Sequence, residues 1–87
     1  MKFEFDPNKS RSNAEKHGID FEAAQALWKD ERLIVVFSRE ADEPRFLAIG
    51  KIKDKHWSAV FTERGENIRL ISVRRSRKQE ILFYEEN

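Results

Sequence analysis

Residues His56 to Arg74 hold the side chains best suited to chemistry on a charged substrate. If a hairpin turns through Gly65-Glu66-Asn67, strand alternation sends His56, Ser58, Thr62, Arg64, Ser72 and Arg74 to one face. Trp57, Ala59, Phe61, Ile71 and Val73 then fall on the other. A three-residue loop gives this separation. It pairs Arg64 with Ile68, Thr62 with Leu70, Val60 with Ser72 and Ser58 with Arg74, and Asn67 can take the left-handed position that ends such loops. A two-residue loop would instead set Thr62 against Arg69 and place charge beside apolar residues, so the odd loop is the expected one. The polar face then gathers two arginines, a histidine and three hydroxyls. Such a set suits phosphoryl transfer. The planar fork of arginine holds phosphate oxygens in pairs and stays charged, and donors aimed at a phosphate stabilise the charge that develops in the transition state. Where the substrate brings its own 2′-hydroxyl as nucleophile, the protein supplies orientation, positive charge and a proton acceptor.

Each of these residues has a structural reading as well. Arg64 and Arg74 can simply solvate an exposed sheet, and His56 can be a surface residue at a strand start. His17, ahead of Gly18, suits a helix C-terminus, where the dipole favours a cation. Trp28 and Trp57 read as core. The basic run Arg74–Lys78 meets a helix N-terminus, which attracts anions. Tyr84 can pack or can stack on a base. His17 and His56 lie on different elements with no partner at metal-ligand spacing, so neither a metal nor a cofactor is expected.

The elements that must position these groups can be read in order. Phe3-Glu4-Phe5 alternates as a short strand. Asp6 can cap a helix that Pro7 opens, running to about His17, with Gly18 as its left-handed stop. Its best stripe is Ser10, Asn13, Ala14 and His17. Asp20 can cap a second helix over 21–29 with the core stripe Phe21, Ala24, Leu27 and Trp28. Strands are expected over Leu33–Phe37, Arg45–Lys53, His56–Arg64 and Ile68–Arg75, with a charged loop at Ser38–Pro44. Ser76 can cap a last helix, with Gln79 completing a capping box. The run Ile81–Tyr84 is too apolar for a free tail. The expected fold class is α+β: a strand and two short helices, an antiparallel sheet of about four or five strands, and a C-terminal helix.

The chain has 87 residues, no cysteine and a net charge of +1. One domain over 1–87 is expected, with a thin core for which a partner subunit would add burial. The absence of cysteine suits a reducing compartment. No signal-like or membrane-length apolar run is present, so a cytoplasmic protein with no membrane association is expected. The near-neutral total conceals segregation. Residues 45–78 hold ten Lys or Arg against three Asp or Glu, and the remainder holds seven against thirteen. A basic half suggests a polyanion such as nucleic acid, although the two halves could also neutralise each other within the fold.

The chain as a whole resembles the BrnT family of toxins. The opening FEFDPNKSRSNAEKHGIDFEAA, residues 3–24, is similar to the family pattern F-E-W-D-P, a lysine, an asparagine, K-H-G and F-E-E-A. RFLAIG at 45–50 and TERGENIRLISVRRSRKQEILFYEE at 62–86 resemble the later R-(x)-I-G, T-x-R and R-I-I-S-A-R segments, followed by a Glu and a Tyr in the last helix. Phe5 stands where the family has Trp, and Val73 where it has Ala. The resemblance implies a RelE-like fold and an RNA-cleaving activity that inhibits translation. It also implies a BrnA-type antitoxin of ribbon-helix-helix type, a heterotetrameric complex, and contact with operator DNA only through that complex. By the same resemblance, Arg64 and Arg74 are the expected catalytic residues, with Lys16 and His17 of the K-H-G segment beside them. His56, Arg69, Arg75, Arg77, Lys78 and Tyr84 are the expected RNA contacts. A non-catalytic nucleic-acid-binding module and a protein-interaction domain are the competing readings.

Overall fold

Local signals shape the first helix. In the computed structural model, which describes residues 1–87, the Asp6 carboxylate accepts a hydrogen bond from the Asn8 N–H at 2.8 Å. Pro7 opens α1 (Pro7–His17), and Gly18 closes it at φ 81°. Ahead of it lies β1 (Phe3–Glu4). After it comes α2 (Phe21–Ala24), capped by Asp20, whose side chain accepts from the Ala23 N–H at 2.8 Å. The helix expected over 21–29 tightens after one turn into a 3-10 helix at Gln25–Lys29. Such tightening is common at helix ends. It delivers Asp30, whose carboxylate accepts from the backbone N–H groups of Arg32 and Lys51 at 2.9 and 2.8 Å.

Four strands and a helix follow: β2 (Ile34–Arg39), β3 (Arg45–Ile52), β4 (Lys55–Arg64), β5 (Asn67–Arg75) and α3 (Lys78–Glu85). The sheet order is β1-β5-β4-β3-β2. The short β1 runs parallel to β5, with Phe3 beside Ile68 and Glu4 beside Arg69, and all other pairs are antiparallel. The architecture is therefore the expected α+β one. β2 reaches two residues further than expected, with a register shift between Phe37 and Arg39.

The hairpin register differs from the expected one near its turn. The loop is the two-residue Gly65-Glu66, and Arg64 pairs with Asn67, Thr62 with Arg69 and Phe61 with Leu70. The positive φ (63°) belongs to Gly65, not to Asn67. The ladder then shifts. Val60 pairs with Ser72, Ala59 with Val73 and Ser58 with Arg74, which leaves Ile71 as the extra residue of a β-bulge. The physical reason lies in β5 itself. Ile68, Leu70 and Val73 all reach the core, which strict alternation forbids, and the bulge reconciles them. Arg69 is tolerated beside Thr62 because it stays half-exposed with Glu4 at 3.9 Å.

The core forms on the sheet face that carries Ala48, Trp57, Ala59, Phe61, Ile68, Leu70 and Val73. Ile19, Phe21, Ala24 and Leu27 of the helical segment cover it. Trp28 packs edge-on against both Phe3 and Phe61. Only α3 crosses the opposite face, where it buries Ser58 and Tyr84.

Candidate active site

The structure puts Arg64 and Arg74 on one sheet face, opposite Phe61, as expected. Ile71 is not on the core face with Phe61. Arg74 lies across from Ser58, six residues from Arg64 along β4. At about 3.3 Å per residue, the two arginines stand ~20 Å apart, too far to share a phosphate. Each also has a carboxylate in its fork. Arg64 donates to Glu43 through Nε and Nη2 at 2.8 and 2.9 Å, which raises its pKa. Arg74 donates to both oxygens of Glu80 at 2.9 Å. Glu80 accepts further from the Ser58 hydroxyl and the Arg77 N–H. The N-cap of α3 is thus Arg77, whose N–H donates to the Glu80 side chain, one residue later than the expected Ser76 with Gln79, and Ser76 pairs instead with the Ser58 hydroxyl at 2.8 Å.

This network ties α3 to the sheet. The Arg74 fork holds the Glu80 carboxyl down at about 2, against an ordinary value of 4.5. Because the folded value is depressed, the stabilisation is complete above pH 4.5 and is lost as pH falls towards 2. Glu80→Gln is expected to cost about 2 kcal/mol at neutral pH and progressively less below pH 4.5. Urea unfolding of both proteins across that pH range measures the convergence.

The remaining expected RNA contacts are dispersed. Tyr84 is 2 % exposed, so it offers no face to a base. Its hydroxyl donates to Asp30 at 2.7 Å, and burial together with that bond pushes its pKa up to about 12. Tyr84→Phe is expected to lower stability by about 1–2 kcal/mol, read in thermal melts. The His56 ring meets Tyr84 edge-on, and its Nε2 lies 2.7 Å from Glu85. Arg75 points to the core side, its guanidinium 5.5 Å from the Trp57 ring centroid. Arg77 and Lys78 are exposed at the start of α3.

Lys16 and His17 have a different setting. Beyond Arg69, the outer edge of β5 has no strand partner, so the N–H and C=O of Val73 would go unpaired. The buried Asn13 side chain takes both, accepting from Val73 N at 3.1 Å and donating to Val73 O at 2.8 Å. It also donates to Ile19 O at 2.8 Å. Ser10, likewise buried, accepts from the Phe21 N–H at 2.9 Å. These bonds fix α1 alongside the bulge. Lys9, Ser12 and Lys16 recur at helical spacing, and with His17 they border an open hollow of about 180 Å³ completed by Asn13, Ile71 and Ser72. No carboxylate lines it. The ion pairs of the chain use Arg32, His56, Arg64, Arg69 and Arg74, so Lys9, Lys16 and His17 are free of them. The hollow unites the K-H-G segment with Ser72 of the S-x-R segment and leaves Arg64 far away. Reading the sequence did not place Lys9 and Ser12 in a site or recognise Asn13 as the strut. The available signal was the broken alternation of Ile68, Leu70 and Val73, which turns Ile71 out towards α1.

A basic hollow with hydroxyls and an imidazole on a fixed helix–strand junction suits a phosphodiester. No curated protein matches the chain. A family model described as "Ribonuclease toxin, BrnT, of type II toxin-antitoxin system" matches residues 5–80, from just before α1 to Glu80 of α3. An antitoxin partner is implied by that description, and the chain belongs to the BrnT family of ribonuclease toxins of type II toxin–antitoxin systems.

Proposed function

We propose that the chain is an endoribonuclease that cleaves in the hollow between α1 and the bulge of β5. The observation that carries this reading is the lining of that hollow: Lys9, Lys16, His17 and two serine hydroxyls, with no carboxylate. His17 takes the proton from the RNA 2′-hydroxyl as its oxygen bonds to the adjacent phosphorus. The P–O5′ bond breaks, and the 5′ oxygen leaves with a proton taken from solvent water, while His17 returns its own proton to solvent. A 2′,3′-cyclic phosphate and a 5′-hydroxyl result. Lys16 and Lys9 stabilise the charge that gathers on the phosphoryl oxygens, and Ser12 and Ser72 orient it. Arg64 and Arg74 act on the frame, the first holding the 43–45 segment to β4 and the second docking α3.

In the cell this cleavage arrests translation in the cytoplasm. A BrnA-type ribbon-helix-helix antitoxin neutralises the toxin in a heterotetramer that reaches operator DNA through the antitoxin. The exposed Leu82 and Phe83 of α3 offer apolar surface for such a partner.

The test is cleavage of a synthetic RNA by the purified protein, with the product ends identified. Cyclic phosphate and 5′-hydroxyl ends are expected, and an intact RNA would reject the reading. Arg64→Ala is expected to keep cleavage within about threefold of wild type, because an exposed side chain away from the site contributes little. A loss of a hundredfold or more would return Arg64 to the catalytic set.

A further inference from the structure

The ion pairs of this chain within 4.0 Å engage Arg32, Arg64, Arg69, Arg74 and His56 and leave every lysine out. Besides Lys9 and Lys16, three lysines line one other hollow. Lys29, Lys51 and Lys53 border a depression of about 360 Å³ with Ala26, Asp30, Ile52 and Tyr84, where the 3-10 helix, the β3–β4 turn and α3 meet.

The acids nearby are committed elsewhere. The Asp30 carboxylate receives the Tyr84 hydroxyl and the N–H groups of Arg32 and Lys51. Glu85 binds His56 at 2.7 Å and lies 4.0 Å from Arg32. None of the three ammonium groups has a carboxylate within 4.0 Å; Lys29 and Lys53 are exposed and Lys51 is half-buried.

A second observation is the backbone at Lys53. It is the chain's one non-glycine residue with positive φ, at 60°. Glycine or asparagine adopts this conformation more readily, and L side chains seldom do. The two-residue Lys53-Asp54 turn between the paired Ile52 and Lys55 requires it, since tight hairpin turns take a positive φ at their first position, and the turn places Lys53 at the rim of the depression.

We infer that this lysine hollow is a second RNA-backbone subsite, which takes a phosphate of a single-stranded RNA whose scissile bond lies in the α1–β5 hollow. The inference rests on the proposed ribonuclease reading. Along the ladder, Ser72 pairs with Val60 and Val60 with Leu47, and Lys51 lies four residues further along β3. Two strand spacings across and four residues along separate the two hollows by ~16 Å, a span of a few nucleotides. Ammonium groups on flexible stems suit this task, because a backbone subsite must hold charge without reading sequence.

The test compares wild type with the triple variant Lys29→Gln, Lys51→Gln, Lys53→Asn. These side chains are outside the core and the cleavage hollow. A labelled 2′-O-methyl oligoribonucleotide, which cannot be cleaved, is titrated across a potassium chloride series. With about 0.7 counterion released per phosphate contact and one phosphate in the subsite, the log–log salt slope is expected to fall in magnitude by about 0.7 in the variant. Cleavage supplies the second readout. KM for a long single strand is expected to rise about tenfold at unchanged kcat, while a dinucleotide substrate, too short to reach the lysines, is cleaved equally by both proteins. An unchanged slope and KM would overturn the subsite while wild-type cleavage still upheld the catalytic hollow. Equal loss on dinucleotide and long RNA would also overturn it, by placing the lysines' effect in the cleavage site itself. A wild-type protein that neither binds nor cleaves RNA would instead overturn the ribonuclease reading beneath it.

Discussion

His17→Ala is expected to slow RNA cleavage by about 10²–10⁴-fold, the usual range for a positioned proton-transfer group, without lowering the melting temperature. The two parts of this expectation have separate causes. His17 is the last residue of α1, is exposed, and takes part in no ion pair. Gly18 supplies the left-handed turn that stops the helix, and the Gly18 N–H closes it on Ala14 O at 2.9 Å. Removing the imidazole therefore takes away no packing and no cap, and exposed changes of this kind stay within about 0.5 kcal/mol. The loss should fall on kcat more than on KM, because a proton acceptor acts in the transition state and contributes little to ground-state binding. Lys16→Ala should lower cleavage by about 10²-fold, the lower end of the range for a removed charge-stabilising donor. Single-turnover cleavage beside thermal melts measures both. A His17→Ala protein that melts several degrees lower and loses activity in proportion would assign the residue to structure instead.

The second large effect concerns stability. Asn13→Ala is expected to destabilise the fold by about 3–5 kcal/mol. The Asn13 side chain satisfies three backbone groups in a buried setting, and its own exposure is 6 %. Alanine would leave Ile19 O, Val73 O and Val73 N without partners, and each such group costs about 1–3 kcal/mol when buried. Water reaching the edge of β5 would recover part of this, which sets the upper end. Against a typical domain stability of about 5–15 kcal/mol, a chain of this size would retain little. Asn13→Asp should fare no better, because it keeps the acceptor for Val73 N and turns a carboxylate oxygen towards two carbonyls. Lys9→Ala, on the same helix but facing the hollow, should cost under about 0.5 kcal/mol. Urea unfolding of the three variants decides the matter. A near-neutral Asn13→Ala would mean that α1 is not held to β5 in this way.

The contrast between these residues shows what could be read from the chain. Local rules sufficed where one residue fixes one geometry. Asp6, Pro7 and Gly18 delimit α1, and Asp20 starts α2, because a cap or a left-handed stop needs no tertiary partner. Alternation gave the strands and placed Arg64 and Arg74 on one face. It failed at Ile71, where the pull of Ile68, Leu70 and Val73 towards the core outweighs strict pairing. The parallel pairing of β1 with β5 was not legible either, since no local pattern tells a two-residue strand which neighbour it joins.

Arg64 and Arg74 drew attention by residue type, yet type alone cannot show whether a charge is already answered. Glu43 and Glu80 answer them, and both carboxylates come from outside the hairpin. His17 and Lys16 stood out less because a helix C-terminus explains a cation by itself. What distinguishes them is an absence of carboxylates, which only the folded chain reveals.

The most direct test of the central claim is where RNA touches the protein. A two-dimensional amide spectrum of the chain, titrated with a 2′-O-methyl oligoribonucleotide, resolves this residue by residue. The largest shifts are expected at Lys9, Ser12, Lys16, His17 and Ser72, with Arg64, Asn67 and Glu43 essentially unmoved. Shifts centred on Arg64 and the Gly65-Glu66 turn, with Lys16 and His17 still, would contradict the account.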